Sequence, residues 1–407
     1  MFLSIVISAL SFFLRIFNLA TPKGLVFDEV YYVDGARDFL KYGVEMNNNA
    51  PEFVVHPPVG KWLIAAGIKL FGNHEFGWRI AAAIAGSLTI YLAARIAMRI
   101  FMDSRWATLT ALLMALDGLN LVMSRTALLD IFLTLFILLA VNSWLAGRYL
   151  NFAVFLGLAV GSKWSALYFV ILLLLLELVL NRNLIRVIKI GVTSGAIYIF
   201  SWIGWFTSNN GWDRKVKSNP ISSLIYYHKE MLGFHTGLTE KHSYQANPWS
   251  WLVMGRPTSF YYQSPAGCGA KTCSQEVLAI GTPILWWIGA IALIFLIGVN
   301  LHNFAMRELD FAVLIPLVGV VAGYLPWFFF QKRTVFTFYA IVFEPFLILA
   351  IVLLAKFAYE YDAKFKYLIG LAVVLIALNF LYFYPIFTGQ IISYNAWSAR
   401  MWWSSWI

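Results

Sequence analysis

Long apolar stretches separated by short polar loops run through most of the chain. A helix that crosses a membrane needs about 20 predominantly apolar residues, and windows of roughly this length predict eleven spans. The predicted spans cover residues 2–19, 79–100, 106–122, 127–146, 150–161, 164–180, 187–207, 279–298, 311–330, 335–355 and 367–387. The pattern therefore predicts an all-α polytopic membrane protein.

Two longer polar segments, residues 20–78 and 208–278, interrupt this pattern and are expected to lie on the same side of the membrane. They divide the chain into an N-terminal transmembrane module (1–207, which includes the first outer segment), a second outer segment, and a C-terminal four-span module (279–407). Within the first outer segment, residues 62–71 are apolar but too short to span, so they predict an amphipathic helix at the interface.

The short loops predict the orientation. One set of loops carries most of the basic residues, namely Arg99, Arg105, Arg148, Arg182, Arg186, Lys189, Arg307, Lys356, Lys364 and Lys366. The positive-inside rule places these in the cytoplasm, so the N-terminus is expected inside and the C-terminus outside. No small-residue cleavage site follows the first span and Arg15 interrupts it, so we expect a membrane anchor there and not a signal peptide.

Composition supports the membrane class and limits the partners. Of 407 residues, 61% are hydrophobic and only 12% are charged, whereas soluble domains have about 25% charged residues. The net charge of +10 is scattered over loops and forms no basic block. This distribution favours contact with anionic lipid or phosphate and argues against nucleic acid as a partner.

Two adjacent carboxylates, Asp28 and Glu29, follow the first apolar stretch directly. Acidic side chains beside a bilayer are costly and usually functional, so this pair is the first candidate for a catalytic site. Three cations, Arg125, Lys163 and Arg333, lie in short turns on the same outer side as this pair. They are exceptions to the rule that basic residues of short loops lie in the cytoplasm. Each alone could be a tolerated exception, but together they indicate a bound anion.

Four further residues have both a structural and a functional interpretation. His56 lies in a proline-rich turn and Arg79 begins the second span, and each taken alone is best explained as a hydrogen-bonded turn residue or an interfacial arginine. Asp117 and Asp130 lie near the outer ends of spans three and four. A structural ion pair between Arg125 and Asp130 is at least as compatible with their spacing as a catalytic role.

The only two cysteines, Cys268 and Cys273, lie close together in the second outer segment. Outside the cytoplasm such a pair is expected to form a small disulfide loop. A zinc site would need two more ligands nearby, and none is suitably spaced. We therefore expect a disulfide and no metal.

Several motifs, in order along nearly the whole chain, resemble those of the protein O-mannosyltransferases. They are Phe27-Asp-Glu-Val-Tyr-Tyr32, His56-Pro-Pro-Val-Gly-Lys61, Trp78-Arg79, Ser124-Arg125 through Asp130, Gly161-Ser-Lys-Trp164, His242-Ser-Tyr, Pro248-Trp-Ser-Trp251, Arg256-Pro257, Arg333-Thr-Val-Phe-Thr-Phe-Tyr339 and Pro345-Phe346. The chain is most similar to the bacterial, actinobacterial-type branch. The second outer segment is too short for the β-trefoil insert of the larger eukaryotic members.

The resemblance implies a GT-C glycosyltransferase that moves mannose from polyprenyl-phosphate-mannose to Ser or Thr hydroxyls of exported polypeptides. It implies Asp28 as the base, with Glu29 orienting the acceptor or sharing the site, and direct displacement with inversion. The donor phosphate is expected to contact cations, first Lys163, then Arg79 and Arg333, then His56 and Arg125. Asp117, Asp130 and Tyr339 are expected to support the site.

The resemblance implies no cofactor besides the lipid-linked donor, and a multi-pass protein of the plasma membrane with an extracytoplasmic active site. Expected partners are the donor, exported polypeptides, the Sec translocon and membrane lipids. Two alternatives stay open: a GT-C transferase for another lipid-linked sugar or for a lipid or glycan acceptor, and a transporter or flippase. Against the latter, the sequence shows no internal repeat, and the charged residues cluster at one membrane face.

Overall fold

The structure of the protein is a computed structural model that describes all residues from 1 to 407. Eleven helices form the first half of the chain: α1 (Phe2–Ile16), α2 (Glu29–Tyr42), α3 (Val59–Phe71), α4 (Glu75–Phe101), α5 (Ser104–Ala115), α6 (Gly118–Met123), α7 (Asp130–Leu145), α8 (Tyr149–Ser162), α9 (Ala166–Asn181), α10 (Leu184–Phe200) and α11 (Ile203–Thr207). The second half contains α12 (Pro220–Gly237), α13 (Pro283–Met306), α14 (Phe311–Tyr324), α15 (Glu344–Tyr361), α16 (Phe365–Thr388) and α17 (Tyr394–Ser398).

A small amount of β-structure departs from the all-α expectation. A hairpin of β1 (Met46–Asn47) and β2 (Ala50–Pro51) lies in the first outer segment. An antiparallel sheet joins β3 (Thr258–Gln263) and β4 (Cys273–Ala279) of the second outer segment to β5 (Ile391–Ser393). The Cys268–Cys273 disulfide, with its Cα atoms 5.9 Å apart, links the connection between β3 and β4 to the first residue of β4. The sheet thus ties the C-terminal end of the chain to the second outer segment.

Each of the eleven apolar segments contains a helix, but the helices differ in length. Four are long and apolar enough to cross a membrane, namely Glu75–Phe101, Pro283–Met306, Phe311–Phe330 and Phe365–Thr388, and α1, α7, α8 and α9 are shorter apolar helices. The predicted span 106–122 is broken into α5, which ends at Ala115, and α6, whose N-terminus is capped by the side chain of Asp117. The predicted interfacial helix at 62–71 corresponds to α3.

The two outer segments pack together into one cap over the bundle. α3 packs against both α2 and α4. α12 buries Leu224, Tyr227 and Met231 against Val44 of the first outer segment and Trp202 at the end of α10. This cap brings residues that are distant in sequence to the same end of the bundle.

Candidate active site

Asp28 lies at the end of a loop, and the residue directly before it, Phe27, has a strained backbone. Phe27 has φ +48°, in the left-handed region that aromatic residues rarely adopt. Its ring is stacked on Phe260 of β3 with the centroids 4.6 Å apart, and it makes T-shaped contacts with Phe336 and Phe338. These rings come from the second outer segment and the C-terminal module. Packing between modules therefore holds the loop that presents Asp28.

The carboxylate of Asp28 has no ion-pair partner within the protein, and the Tyr32 hydroxyl is its neighbouring hydrogen-bonding side chain. Asp28 is the N-cap of α2, but its side chain accepts no capping hydrogen bond, and it is half-buried. Removal from water raises the pKa of Asp28 to about 6, against the lowering effect of the Lys163 ammonium and with a further rise from the Asp130 carboxylate. A carboxylate with this pKa is ionised at pH 7 but accepts a proton readily, as a general base must.

Glu29, by contrast, is fully engaged inside the protein. Arg79 Nε lies 2.8 Å from Glu29 Oε1 and Arg79 Nη2 lies 2.9 Å from Oε2, and both side chains are completely buried. The backbone N–H groups of Ala127 and Val26 donate to the same two oxygens at 2.9 and 3.0 Å. The other Arg79 donors bind backbone carbonyls of the loop between α1 and α2. This pair therefore fixes the loop and leaves Arg79 no donor for a ligand.

Lys163, at the end of α8, is held by residues from two other elements. Its Nζ lies 2.8 Å from Oδ1 and 2.9 Å from Oδ2 of Asp130, the first residue of α7. The same ammonium lies 4.3 Å from the centroid of the Tyr339 ring, which comes from the C-terminal module. Two of the three ammonium hydrogens are thus used by Asp130, and Nζ makes no hydrogen bond to any other protein acceptor.

Arg125 does not pair with Asp130, so of the two interpretations left open for these residues the mutual ion pair is wrong. Arg125 Nη1 donates to the backbone carbonyls of Arg15 and Phe17 at 2.6 and 2.7 Å, and Nη2 donates to that of Asn18 at 2.9 Å. Carbonyls at the end of a helix lack intrahelical partners and favour a cation. Arg125 therefore caps the C-terminal end of α1 and does not line the cavity described below.

Asp117 connects the two transmembrane modules. As the N-cap of α6 it accepts a hydrogen bond from the backbone N–H of Asn120 at 3.1 Å. It also accepts from the backbone N–H of Thr282 at 2.8 Å and from Trp286 Nε1 at 2.9 Å, both in the C-terminal module. Its contacts are structural.

A cavity of about 190 Å³ opens beside Lys163. Its polar wall contains His56, Lys163, His235 and Arg333, which come from the two outer segments and both transmembrane modules. Its apolar wall contains Trp164, Leu167, Tyr168, Leu232, Trp327 and Phe330. Cations and ring nitrogens on one side and apolar surface on the other suit an anion attached to an apolar chain.

Two buried nitrogen atoms in the polar wall have no hydrogen-bond partner, Nδ1 of His56 and Nε of Arg333. Buried polar atoms are nearly always paired, so such atoms mark places where a ligand oxygen can bind. Removal from water, reinforced by the charge of Lys163 and by His235, lowers the pKa of His56 well below its ordinary value. His56 is therefore neutral, and the positive charge of this wall comes from Lys163 and Arg333.

Of the four residues named above for the polar wall, His235 is the one that the sequence did not indicate. It lies near the end of α12, two helical turns after His228, and the local pattern does not distinguish the two. Phe27 and its aromatic partners were also missed as a group, because nothing in the sequence predicts their contact.

Two family models match successive parts of the chain. Residues 5–208 match dolichyl-phosphate-mannose-protein mannosyltransferase, and residues 220–406 match the C-terminal four-transmembrane region of protein O-mannosyltransferase. The chain belongs to the protein O-mannosyltransferase family. Among family members, a polyprenol-phosphate-mannose–protein mannosyltransferase of Mycolicibacterium smegmatis is 32% identical, covering 98% of this chain and 92% of the relative. One from Mycobacterium tuberculosis is 31% identical, covering 97% and 89%.

Solved structures share the fold. The protein O-mannosyltransferase Pmt1–Pmt2 complex of S. cerevisiae, bound to the sugar donor, is similar over 100% of this chain and 92% of that chain, with a TM-score of 0.82 and 16% identity. ArnT from Cupriavidus metallidurans, bound to undecaprenyl phosphate, is similar over 91% of this chain and 62% of that chain, with a TM-score of 0.61 and 17% identity. The expected GT-C glycosyltransferase fold is confirmed.

Proposed function

We propose that this family member transfers mannose from polyprenyl-phosphate-mannose to Ser or Thr hydroxyls of exported polypeptides. Two observations together carry the proposal. The carboxylate of Asp28 makes no helix-capping hydrogen bond, and Lys163 and Arg333 line one wall of the cavity. The electrostatic influence of Lys163 on Asp28 supports the proximity of base and cavity. The relatives named for polyprenol-phosphate-mannose support the donor and the polypeptide acceptor.

Asp28 acts as the general base. An acceptor hydroxyl is a weak nucleophile at neutral pH, and Asp28 takes its proton as the oxygen attacks the anomeric carbon. Attack from the side opposite the phosphate displaces it directly, so the anomeric configuration inverts. The leaving group is a phosphate that departs as an anion, so it requires stabilisation by cations and no general acid.

The cavity holds the donor phosphate and the first part of its lipid. The third ammonium hydrogen of Lys163, the unpartnered Nε–H of Arg333 and the ring of His56 are the groups that contact the phosphate. Leu167 and Leu232, which are 41% and 55% exposed, extend the apolar wall outward and guide the prenyl chain toward the bilayer.

Glu29, Arg79 and Arg125 have a different part in this proposal. The contacts of Glu29 and Arg79 are satisfied within the protein, so we assign them to holding the Asp28 loop. Arg125 closes α1. Of the five groups expected to contact the phosphate, Lys163, Arg333 and His56 stay in that role.

The proposal includes a location. The N-terminus lies in the cytoplasm and the C-terminus outside, the site faces the extracytoplasmic side of the plasma membrane, and exported chains reach it as they leave the Sec translocon. The basic short loops support this orientation.

A second candidate is transfer of another lipid-linked sugar. Its support is the fold shared with ArnT and a 91-residue match, 40% identical, to an undecaprenyl-phosphate aminoarabinose transferase that covers 21% of this chain. The test is to incubate purified enzyme with a Ser/Thr peptide and either polyprenyl-phosphate-mannose or polyprenyl-phosphate-aminoarabinose. Mannosylated peptide only with the first donor supports the proposal. Transfer only from the second donor, or to lipid but not to peptide, contradicts it.

A further inference from the structure

His235 makes two hydrogen bonds of opposite polarity inside the cavity wall. One ring nitrogen, Nε2, lies 2.8 Å from the backbone carbonyl oxygen of Val55 in the first outer segment. The other, Nδ1, lies 3.3 Å from Nη2 of Arg333 in the C-terminal module. His235 itself belongs to α12 in the second outer segment. One side chain therefore connects three separate parts of the chain at the edge of the cavity.

The two partners fix the protonation state of the ring. A carbonyl oxygen only accepts hydrogen bonds, so Nε2 carries the proton, and a guanidinium only donates, so Nδ1 carries a lone pair. Both contacts together require the neutral Nε2–H tautomer. Removal from water lowers the pKa of His235 to about 4, which keeps the ring neutral over the physiological range. A charged ring would lose the contact with Arg333.

The contact decides where the guanidinium of Arg333 points. Arg333 follows a short 3-10 helix, is only partly buried, and has no ion-pair partner. Its guanidinium carbon lies 5.9 Å from the Trp327 ring centroid. The ring of Trp327 and Nδ1 of His235 are thus the two groups that hold it over the cavity. Its Nε–H is buried and unpartnered.

We propose that His235 is a positioning residue, which holds Arg333 so that its free N–H group meets the donor phosphate. This inference rests on the proposed function, since it names the residue that orients one of the phosphate-binding cations. His235 does not touch the reacting atoms. Its loss should weaken donor binding and leave the chemical step largely intact.

The test is the steady-state kinetics of three variants with polyprenyl-phosphate-mannose. His235→Phe keeps a ring of similar size and removes both hydrogen bonds, so we expect the KM for the donor to rise about tenfold with kcat within about twofold of wild type. The side-chain amide of His235→Gln can both donate and accept a hydrogen bond, so the donor KM of this variant should lie close to the wild-type value. Tyr227→Phe is the matched control, because its hydroxyl binds the backbone of Val54 next to Val55 but does not contact Arg333.

A double-mutant cycle with Arg333→Ala makes the inference falsifiable. If His235 acts through Arg333, adding His235→Phe to Arg333→Ala should raise the donor KM no further. Additive effects, or an equal rise in KM for Tyr227→Phe, would overturn the positioning role. If wild-type enzyme does not transfer mannose, the proposed function fails separately. The same variants are then compared by direct binding of polyprenyl phosphate, where an unchanged affinity of His235→Phe would overturn the inference.

Discussion

The ammonium of Lys163 lies within hydrogen-bonding distance of both carboxylate oxygens of Asp130, at 2.8 and 2.9 Å. Both side chains are more than nine-tenths buried. The pair holds the lysine at the cavity wall with its charge largely balanced and one N–H left over. A donor phosphate that enters the cavity would bind a lysine that is already paired with Asp130. Before the donor binds, the site therefore contains no buried unpaired charge at Lys163.

Lys163→Ala should therefore weaken use of the donor. We expect the KM for polyprenyl-phosphate-mannose to rise at least tenfold, because a charge-assisted hydrogen bond to the phosphate is lost. Lys163→Arg should restore this only in part, since the planar guanidinium differs from the ammonium in reach and shape. Lys189→Ala, an exposed lysine of α10 outside the cavity, is the control. An unchanged donor dependence in Lys163→Ala would assign this lysine a structural role only.

Replacing Asp28 by Asn should abolish most of the activity without unfolding the protein. The amide keeps the size of the side chain but cannot accept the acceptor's proton, so kcat should fall about 100-fold or more. Asp34→Asn, at an exposed site of the same helix, should transfer at the wild-type rate. The measurement is mannosylation of a Ser/Thr peptide by purified variants of matched thermal stability. Near wild-type activity of Asp28→Asn would exclude it as the base.

The activity should depend on pH through Asp28. Its pKa is raised to about 6, and the base must be ionised to act, so the rate should fall as the pH drops through 6. At pH 5 only about one tenth of Asp28 would be ionised, and kcat/KM should be about tenfold below its plateau. The profile is measured with a donor whose phosphate keeps its charge over this range. A plateau that extends to pH 4.5 would contradict this pKa for the base.

Arg79→Ala should destabilise the protein more than it changes donor binding. It leaves the buried carboxylate of Glu29 without its cation, which costs about 3–5 kcal/mol. We expect a large loss of thermal stability, with the donor KM of the remaining folded enzyme close to wild type. Lys356→Ala, which breaks the partly exposed pair with Glu360, should cost less than about 1 kcal/mol. A stable Arg79→Ala protein with a strongly raised donor KM would instead make Arg79 a phosphate ligand.

The orientation can be tested with single cysteines in a background that lacks Cys268 and Cys273. Lys271→Cys and Trp402→Cys should react with an impermeant thiol reagent added outside intact cells, because we place both residues on the extracytoplasmic side. Arg182→Cys and Lys364→Cys should be protected until the membrane is opened. All of these residues are exposed, so accessibility is not limited by burial. Labelling of Lys364→Cys together with protection of Lys271→Cys would reverse the topology.

The sequence predicted the membrane class, the family and the acidic pair, because apolar periodicity and motif order are local properties of the chain. The separate roles of Asp28 and Glu29 could not be predicted. Glu29 is recruited by Arg79, fifty residues further along the chain, and by the backbone of Ala127. Which of two adjacent carboxylates is held in a buried ion pair therefore depends on long-range packing.

The same reason explains why an ion pair of Asp130 with Arg125, one of the two interpretations left open, does not form. Sequence spacing placed Arg125 near it, but the cation that binds Asp130 comes from Lys163, thirty-three residues away. The apolar span predicted at 106–122 runs through Asp117, because hydropathy is averaged over a window and does not register a single capping residue. Contacts between modules, such as that of His235 with Arg333, leave no local pattern at all.

The cavity has a consequence for the synthesis of the protein itself. Asp28, Asp130 and Lys163 lie in the first half of the chain, whereas Arg333 and Tyr339, which complete the surroundings of Lys163, lie in its last quarter. Domains generally fold from the N-terminus during translation. A chain synthesised only as far as α12 therefore contains the proposed base but lacks Trp327, Phe330 and Arg333 of the cavity wall. We expect such a chain not to bind the lipid-linked donor until the segment between α14 and α15 has been made.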